Sequence, residues 1–454
     1  MINLELLIFL FILFIFVLKD GGYKKGKKRT FQLMLFAVGM LPFYHLINAD
    51  FKFELIWQTG SLFVMFYYLI LSTPNEINNV IIRVKPIILP TAFVMGIFAL
   101  SYLNSEKLGK ENILFLYCFL TSPVYSLFAC IYCKSVEDIE KLILILITFG
   151  LLQFPIIIGQ AMGLTDKLSG NLSSLSTDGW GGPLASVSGV TRYPGSFGDV
   201  ELFAEYIGIM FLLALGEFIL PVKRRHKKLI GISILIFLIM GGFTGTRGFL
   251  IGIFLGIIVL MTLIQLQSNK KSIIFKRFLI IGLLLISSII LLMPRVIISG
   301  FLDRMLMADT FGSNLLNRGT LFSTWIYLSK QMPLFGYGAQ MIDVVRLNFN
   351  YFFIQSPHSL FFSMLLIAGY PGLIMIIFFI LKLFYLSIKC VKNKSNSSIC
   401  QYGIMFLVIL VYWSANEVKI EFIRLIFYSN YLFFLWGILS SLYALSVNDK
   451  KNIA

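Results

Sequence analysis

Charge is scarce in this chain. Only 13% of its 454 residues are charged, against 58% hydrophobic. Soluble domains alternate apolar and polar residues, whereas here apolar runs of about twenty residues recur from end to end. That excludes a large soluble core and leaves a polytopic helical membrane protein, because helices satisfy their own backbone groups in lipid. Cysteine is sparse too. Cys118, Cys130, Cys133, Cys390 and Cys400 all avoid the long polar loops, so no disulfide framework is expected. Cys130 and Cys133 form a CxxC without a second pair or a nearby histidine, which reads as a helix-end coincidence, not a metal site. Histidine occurs three times, and no HxxxH, no DxD and no Ser-His-Asp order is present. No repeat of solenoid period is seen. The formal charge of +16 does not argue for nucleic acid, since membrane proteins concentrate Lys and Arg on the cytoplasmic side.

What is present is a series of apolar segments near 2–18, 31–48, 55–72, 87–103, 113–132, 142–160, 200–220, 229–244, 247–266, 278–293, 359–388, 400–416 and 427–446. The expected fold is an all-α polytopic integral membrane protein, one membrane domain over 1–454, with about 12–14 transmembrane helices and thirteen by these segments. The first segment is followed, not preceded, by its positive charges, Lys24, Lys25, Lys27, Lys28 and Arg29, so it reads as an uncleaved helix rather than a signal peptide. With that basic stretch inside, the alternation puts 20 of 26 lysines inside. The arginines do not follow. Arg192, Arg247, Arg295, Arg304, Arg318, Arg346 and Arg424 fall outside and need another reason.

Two outer loops are long. Residues 161–199 are rich in Gly, Ser and Thr, and residues 294–357 form the second. Within the second, Leu321, Trp325 and Leu328 recur at helical spacing ahead of Pro333, which predicts an amphipathic helix on the membrane surface. Two large loops over a helical bundle point to a site at the outer face.

Arginine donates two parallel hydrogen bonds to phosphate and keeps its proton. A cluster of outer arginines therefore suggests an anionic ligand, most simply phosphate or pyrophosphate. Taken singly, Arg295, Arg304, Arg346 and Arg424 fit a carboxylate partner or a lipid headgroup equally well. Arg247 stands apart: it follows Gly241-Gly242-Phe243-Thr244-Gly245-Thr246 in a tight turn at a helix start, where free N–H groups and the dipole favour an anion. A snorkelling arginine is the alternative. His358 starts a helix at the outer face and has the chemistry to accept a proton from a hydroxyl; a histidine bonded to backbone or headgroup fits it equally well taken alone. His45 reads as a packed histidine, and His226 lies in the inner stretch Lys223–Lys228 that contacts anionic lipid. Asp199, Glu201 and Glu205 are the acidic residues a metal would use. Asp199 fits an N-cap and Glu201 a first-turn charge, so helix capping is preferred to a metal.

Four segments together resemble the O-antigen polymerase and ligase superfamily of bacterial envelopes. His358-Ser359, nine residues and Gly369-Tyr370-Pro371-Gly372 resemble its H-[NSQ]-x9-G-x-x-G pattern. Gly242-Phe243-Thr244-Gly245-Thr246-Arg247-Gly248 resembles its S-G-S-R-G turn, with threonine for both serines. Arg318, Trp325 and Pro333-Leu334-Phe335-Gly336-Tyr337-Gly338 resemble its R…W…P-L-x-G-x-G stretch, and Arg192 to Asp199 its R-x-x-G-x-F segment. The set spans about 190–372; the first 180 residues are similar only in hydropathy.

The resemblance implies transfer of glycans from undecaprenyl pyrophosphate at the periplasmic face of the inner membrane, without nucleotide sugar. The chain looks most like the polymerases, for which donor and acceptor are both undecaprenyl-pyrophosphate-linked oligosaccharides. A ligase, moving the finished glycan to lipid A–core, is the alternative; a lipid-linked oligosaccharide transporter or a chain-length scaffold fits less well. His358 is then the expected base, and Arg192, Arg247 and Arg318 the expected pyrophosphate ligands. Arg295, Arg304, Arg346 and Arg424 are left for a second lipid or glycan. No cofactor and no metal are assigned, and nucleic acid is not a partner. Membrane lipids, a chain-length regulator and a flippase are the expected company.

Overall fold

Helix starts in this protein follow local capping chemistry as much as hydropathy. The computed structural model describes residues 23–43, 51–105, 109–162, 185–187, 190–219, 227–267, 323, 325–338, 341, 359–393, 396–418 and 421–451. Helices carry the fold: α1 (Tyr23–Met40), α2 (Phe51–Ile70), α3 (Pro74–Leu103), α4 (Lys110–Thr121), α5 (Val124–Tyr132), α6 (Val136–Leu151) and α7 (Gln153–Ala161) come first. A short antiparallel hairpin, β1 (Ala185–Val187) and β2 (Val190–Arg192), pairs Ala185 with Arg192. Then follow α8 (Val200–Ile219), α9 (Lys227–Thr244), α10 (Arg247–Gln267), α11 (Leu360–Val391), α12 (Ser397–Glu417) and α13 (Ile426–Lys451).

Among the described residues, nine spans are long and apolar enough to cross a bilayer, as an all-α polytopic membrane protein requires. The segments expected near 2–18 and 278–293 lie outside the described residues. Three starts differ most from the hydropathy reading, among them α6, which begins at Val136 rather than near 142 because Ser135 and Asp138 form a capping box. α3 begins at Pro74 rather than near 87, because Thr73 and Glu76 form a capping box and proline suits the first helical position. α1 includes the basic stretch after Tyr23, since Lys and Arg are good helix formers.

α8 and α13 are the most enclosed spans. Around α13, interhelical polar bonds replace a hydrophobic drive that is weak between helices in lipid. Ser126 Oγ of α5 donates to the Phe433 carbonyl at 2.6 Å, and Ser440 Oγ donates to the Arg83 carbonyl at 2.6 Å. Gln58 Nε2 of α2 donates to Asn430 Oδ1 at 2.8 Å. Cys130 and Cys133 are buried free thiols where α5 ends, and Cys130 Sγ contacts the Gly437 carbonyl at 3.5 Å.

Candidate functional site

The turn between α9 and α10 is built by its threonines. Thr244 Oγ1 donates to the Gly241 carbonyl at 2.6 Å and accepts from the Thr246 N–H at 3.3 Å. Gly245 N–H donates to the Gly242 carbonyl at 2.9 Å, closing the turn. Either hydroxyl amino acid satisfies these bonds, so threonine serves where the related motif has serine. Arg247 is the first residue of α10, where N–H groups lack helical partners.

Arg192, at the end of β2, closes on this turn. Its Nε donates to the Thr244 carbonyl at 3.0 Å and its Nη2 to Thr246 Oγ1 at 2.9 Å. Beside it, Tyr193 N–H donates to the Phe243 carbonyl at 3.2 Å, and the two rings meet edge to face at 5.7 Å. Burial lowers the Arg192 pKa, and the carboxylates of Glu201 and Asp199 act against that shift. An arginine remains a cation through such shifts. Two sequence segments that look unrelated thus meet at the start of α10.

The loop after Arg192 is clamped from α7. Gln160 Nε2 donates to the Gly195 carbonyl at 2.8 Å, and Gln160 Oε1 accepts from the Gly195 N–H at 3.0 Å. Gln153 Oε1 accepts from Ser196 Oγ at 2.7 Å, while Gln153 Nε2 donates to the Pro42 carbonyl at 3.2 Å. Ser196 Oγ also lies against that carbonyl. The motif reading missed both glutamines. The available signal was their position: buried amides in an apolar span are costly without partners. Asp199 caps α8, its Oδ1 accepting from Glu201 N–H at 2.8 Å and Leu202 N–H at 3.0 Å.

Buried carboxylates meet where α8, α12 and α13 come together. Tyr428 Oη donates to Glu205 Oε1 at 2.7 Å. Glu417 accepts from Trp413 Nε1 at 2.7 Å and from the Phe422 N–H at 3.1 Å. The second bond holds the short 3-10 turn Phe422–Arg424, which Ser429 Oγ also binds through the Phe422 carbonyl at 3.1 Å. Glu417 was not singled out from sequence, and Arg424 stands on the turn it holds. Among the described residues, no three His, Cys, Asp or Glu side chains gather in a way that suits a metal ion.

Residues 325–338, within the stretch read from sequence as the second long loop, pack on the bundle. Residues 325–331 are helical, with Trp325 and Leu328 buried and Ile326 and Tyr327 exposed. Pro333 to Gly338 then lies against a kink in α11. Gly336 (φ 74°) and Gly369 (φ 68°) both take a left-handed conformation that side chains disfavour. They also touch backbone to backbone: a Cβ on Gly369 would sit 1.9 Å from the Leu334 carbonyl oxygen, and one on Gly336 2.4 Å from that of Ile367. Tyr337 N–H donates to the Leu366 carbonyl at 2.7 Å, and Tyr337 Oη to the Leu328 carbonyl at 3.1 Å. The glycines of two separate motifs therefore interlock. Met364 of α11 shares an apolar cavity with Phe422 and Ile423, which sets α11 beside the turn that carries Arg424.

Ser359 is the N-cap residue of α11 and directly follows His358. His358, Arg295, Arg304, Arg318 and Arg346 lie outside the described residues. Of the expected site residues, the structure gives Arg192 with its contacts, and Arg247 and Arg424 by backbone position.

Residues 207–377 match the family model described as O-antigen ligase. The match covers the α9–α10 turn, the second long loop and the kink of α11, and begins after Arg192 and Asp199. No curated protein matches the chain.

Proposed function

Since this chain belongs to the O-antigen polymerase and ligase superfamily, we propose that it joins undecaprenyl-pyrophosphate-linked repeat units into a surface polysaccharide. The observation that carries the reading is the closure of Arg192 on the turn where Arg247 begins α10. The lipid pyrophosphate of a glycosyl donor leaves readily once its developing charge is held, and fixed donors in a low-dielectric site do this without rearranging. Arg247 and Arg318 hold the pyrophosphate; Arg192 braces the turn, and its remaining N–H groups add to the field. His358 takes the proton from an acceptor sugar hydroxyl as the oxygen bonds to the anomeric carbon and the pyrophosphate oxygen departs.

Polymerase is preferred to ligase because a polymerase holds two lipid pyrophosphates. Seven outer arginines exceed what one pyrophosphate needs. The family match does not separate the two, and a ligase is the second reading. Purified protein given only lipid-linked repeat units is expected to lengthen them, read by gel or mass spectrometry. If nothing lengthens until lipid A–core is added, the ligase takes its place. The same assay in EDTA should run at an unchanged rate, because Asp199 is spent on capping α8 and Glu205 accepts from Tyr428. Loss on chelation with recovery on adding a divalent ion would restore a metal role.

The lysine distribution supports a site on the periplasmic face of the inner membrane. Single cysteines at Ser174 and Asn314 should react with an impermeant thiol reagent in spheroplasts, and those at Lys228 and Ser395 should not. Labelling at Ser395 from outside would reverse the orientation.

A further inference from the structure

Pro371 lies inside α11 and has no N–H to donate. In a regular helix that N–H would meet the Ile367 carbonyl, four residues back. Gly369, at φ 68° and ψ −168°, breaks the helical run at the same point. Two carbonyls are released, and each is taken by a distant part of the chain. Tyr337 N–H takes that of Leu366 at 2.7 Å, and the hydroxyl of Ser101, on α3, takes that of Ile367. Ser101 is buried, and its own carbonyl oxygen would lie 2.4 Å from a Cβ on Gly338. Three segments therefore close on one another at the kink: α3, the Pro333–Gly338 loop and α11. Ser101 lies outside residues 207–377 and outside every motif.

The kink has leverage. From Ser359 to Gly369 the segment is about 15 Å long at helical rise. A tilt of about 10° at Gly369 carries its start about 2.6 Å. In a positioned reaction, displacement by about 1 Å costs about 100-fold. We propose that Ser101 is a positioning residue for glycan transfer. With the Pro333–Gly338 loop it fixes the tilt of residues 359–369, the helix start that directly follows His358 in sequence. This rests on the base role assigned to His358.

The test uses the full-length protein in lipid nanodiscs, with Ser101→Ala, Ser101→Thr and His358→Ala compared with wild type. Steady-state transfer is measured beside hydrogen–deuterium exchange of the Tyr337 amide. Ser101→Ala is expected to lower kcat about tenfold or more, with KM for the lipid-linked donor held within about twofold. Exchange at Tyr337 should quicken. Ser101→Thr keeps the hydroxyl and should restore both. If Ser101→Ala fails to fold, Ser101→Cys, nearly the same size with only a weak donor, should give the same split at smaller amplitude. Quickened exchange with unchanged kcat would overturn the proposal, and so would unchanged exchange. A His358→Ala variant as active as wild type sinks the base reading alone: a slowed Ser101→Ala would then still mark Ser101 as positioning the helix start.

Discussion

His358→Ala is expected to lower glycan transfer by about 10²–10⁴-fold, the usual contribution of general base catalysis. The helix start after it is held through the backbone: the Ser359 carbonyl accepts from the Ser363 N–H at 2.8 Å, a bond that a side-chain change at 358 does not remove. The loss should therefore appear in kcat with folded protein retained on size exclusion. The wild-type rate should also carry the signature of a base. A histidine accepts a proton only when its imidazole is neutral. kcat/KM should thus fall as the pH is lowered and the imidazole takes up a proton, and the alanine variant should lose that dependence. Activity within about threefold of wild type would remove the base role and leave a structural histidine.

The spans were legible because lipid allows few solutions: an apolar run of the right length becomes a helix. α8, α9, α10, α11, α12 and α13 fall where the hydropathy puts them. Hydropathy failed at α3, where Asn, Glu, Arg and Lys obscured a helix start. Thr73-Pro74-Asn75-Glu76 carries that start in its capping chemistry. The N-cap role of Asp199 was readable in the same local way.

What escaped were pairings between distant segments. The Gln160–Gly195 clamp joins residues 35 apart, and Arg192 reaches Thr246 across 54. Glycines 336 and 369 each look like turn glycines alone; only the fold reveals that each leaves room for the other's backbone. Glu417 was invisible for a related reason. A lone acid at a helix end suggests surface, and here its partners are an indole N–H and the backbone of a turn.

The contacts of Arg192 lead to the second large effect. Its fork spans the Thr244 carbonyl and Thr246 Oγ1, a geometry that a lysine ammonium does not reproduce. Hydrogen bonds from a charged donor contribute about 1.5–3 kcal/mol, so Arg192→Lys should lower kcat/KM by about 10–100-fold. Arg247→Ala, which removes a proposed direct ligand of the developing charge, should cost about 10²–10³-fold. If Arg192 acts by bracing the turn that carries Arg247, the two losses are not independent. The double variant Arg192→Lys/Arg247→Ala should then stay within about threefold of Arg247→Ala, because the brace has nothing left to present. Thr246→Val removes one acceptor of the fork and should reproduce part of the Arg192→Lys loss, with little further loss when the two are combined. Independent action predicts multiplication instead, to about 10³–10⁵-fold in the Arg192/Arg247 pair. That outcome would put Arg192 on the substrate anion directly and end its role as a brace.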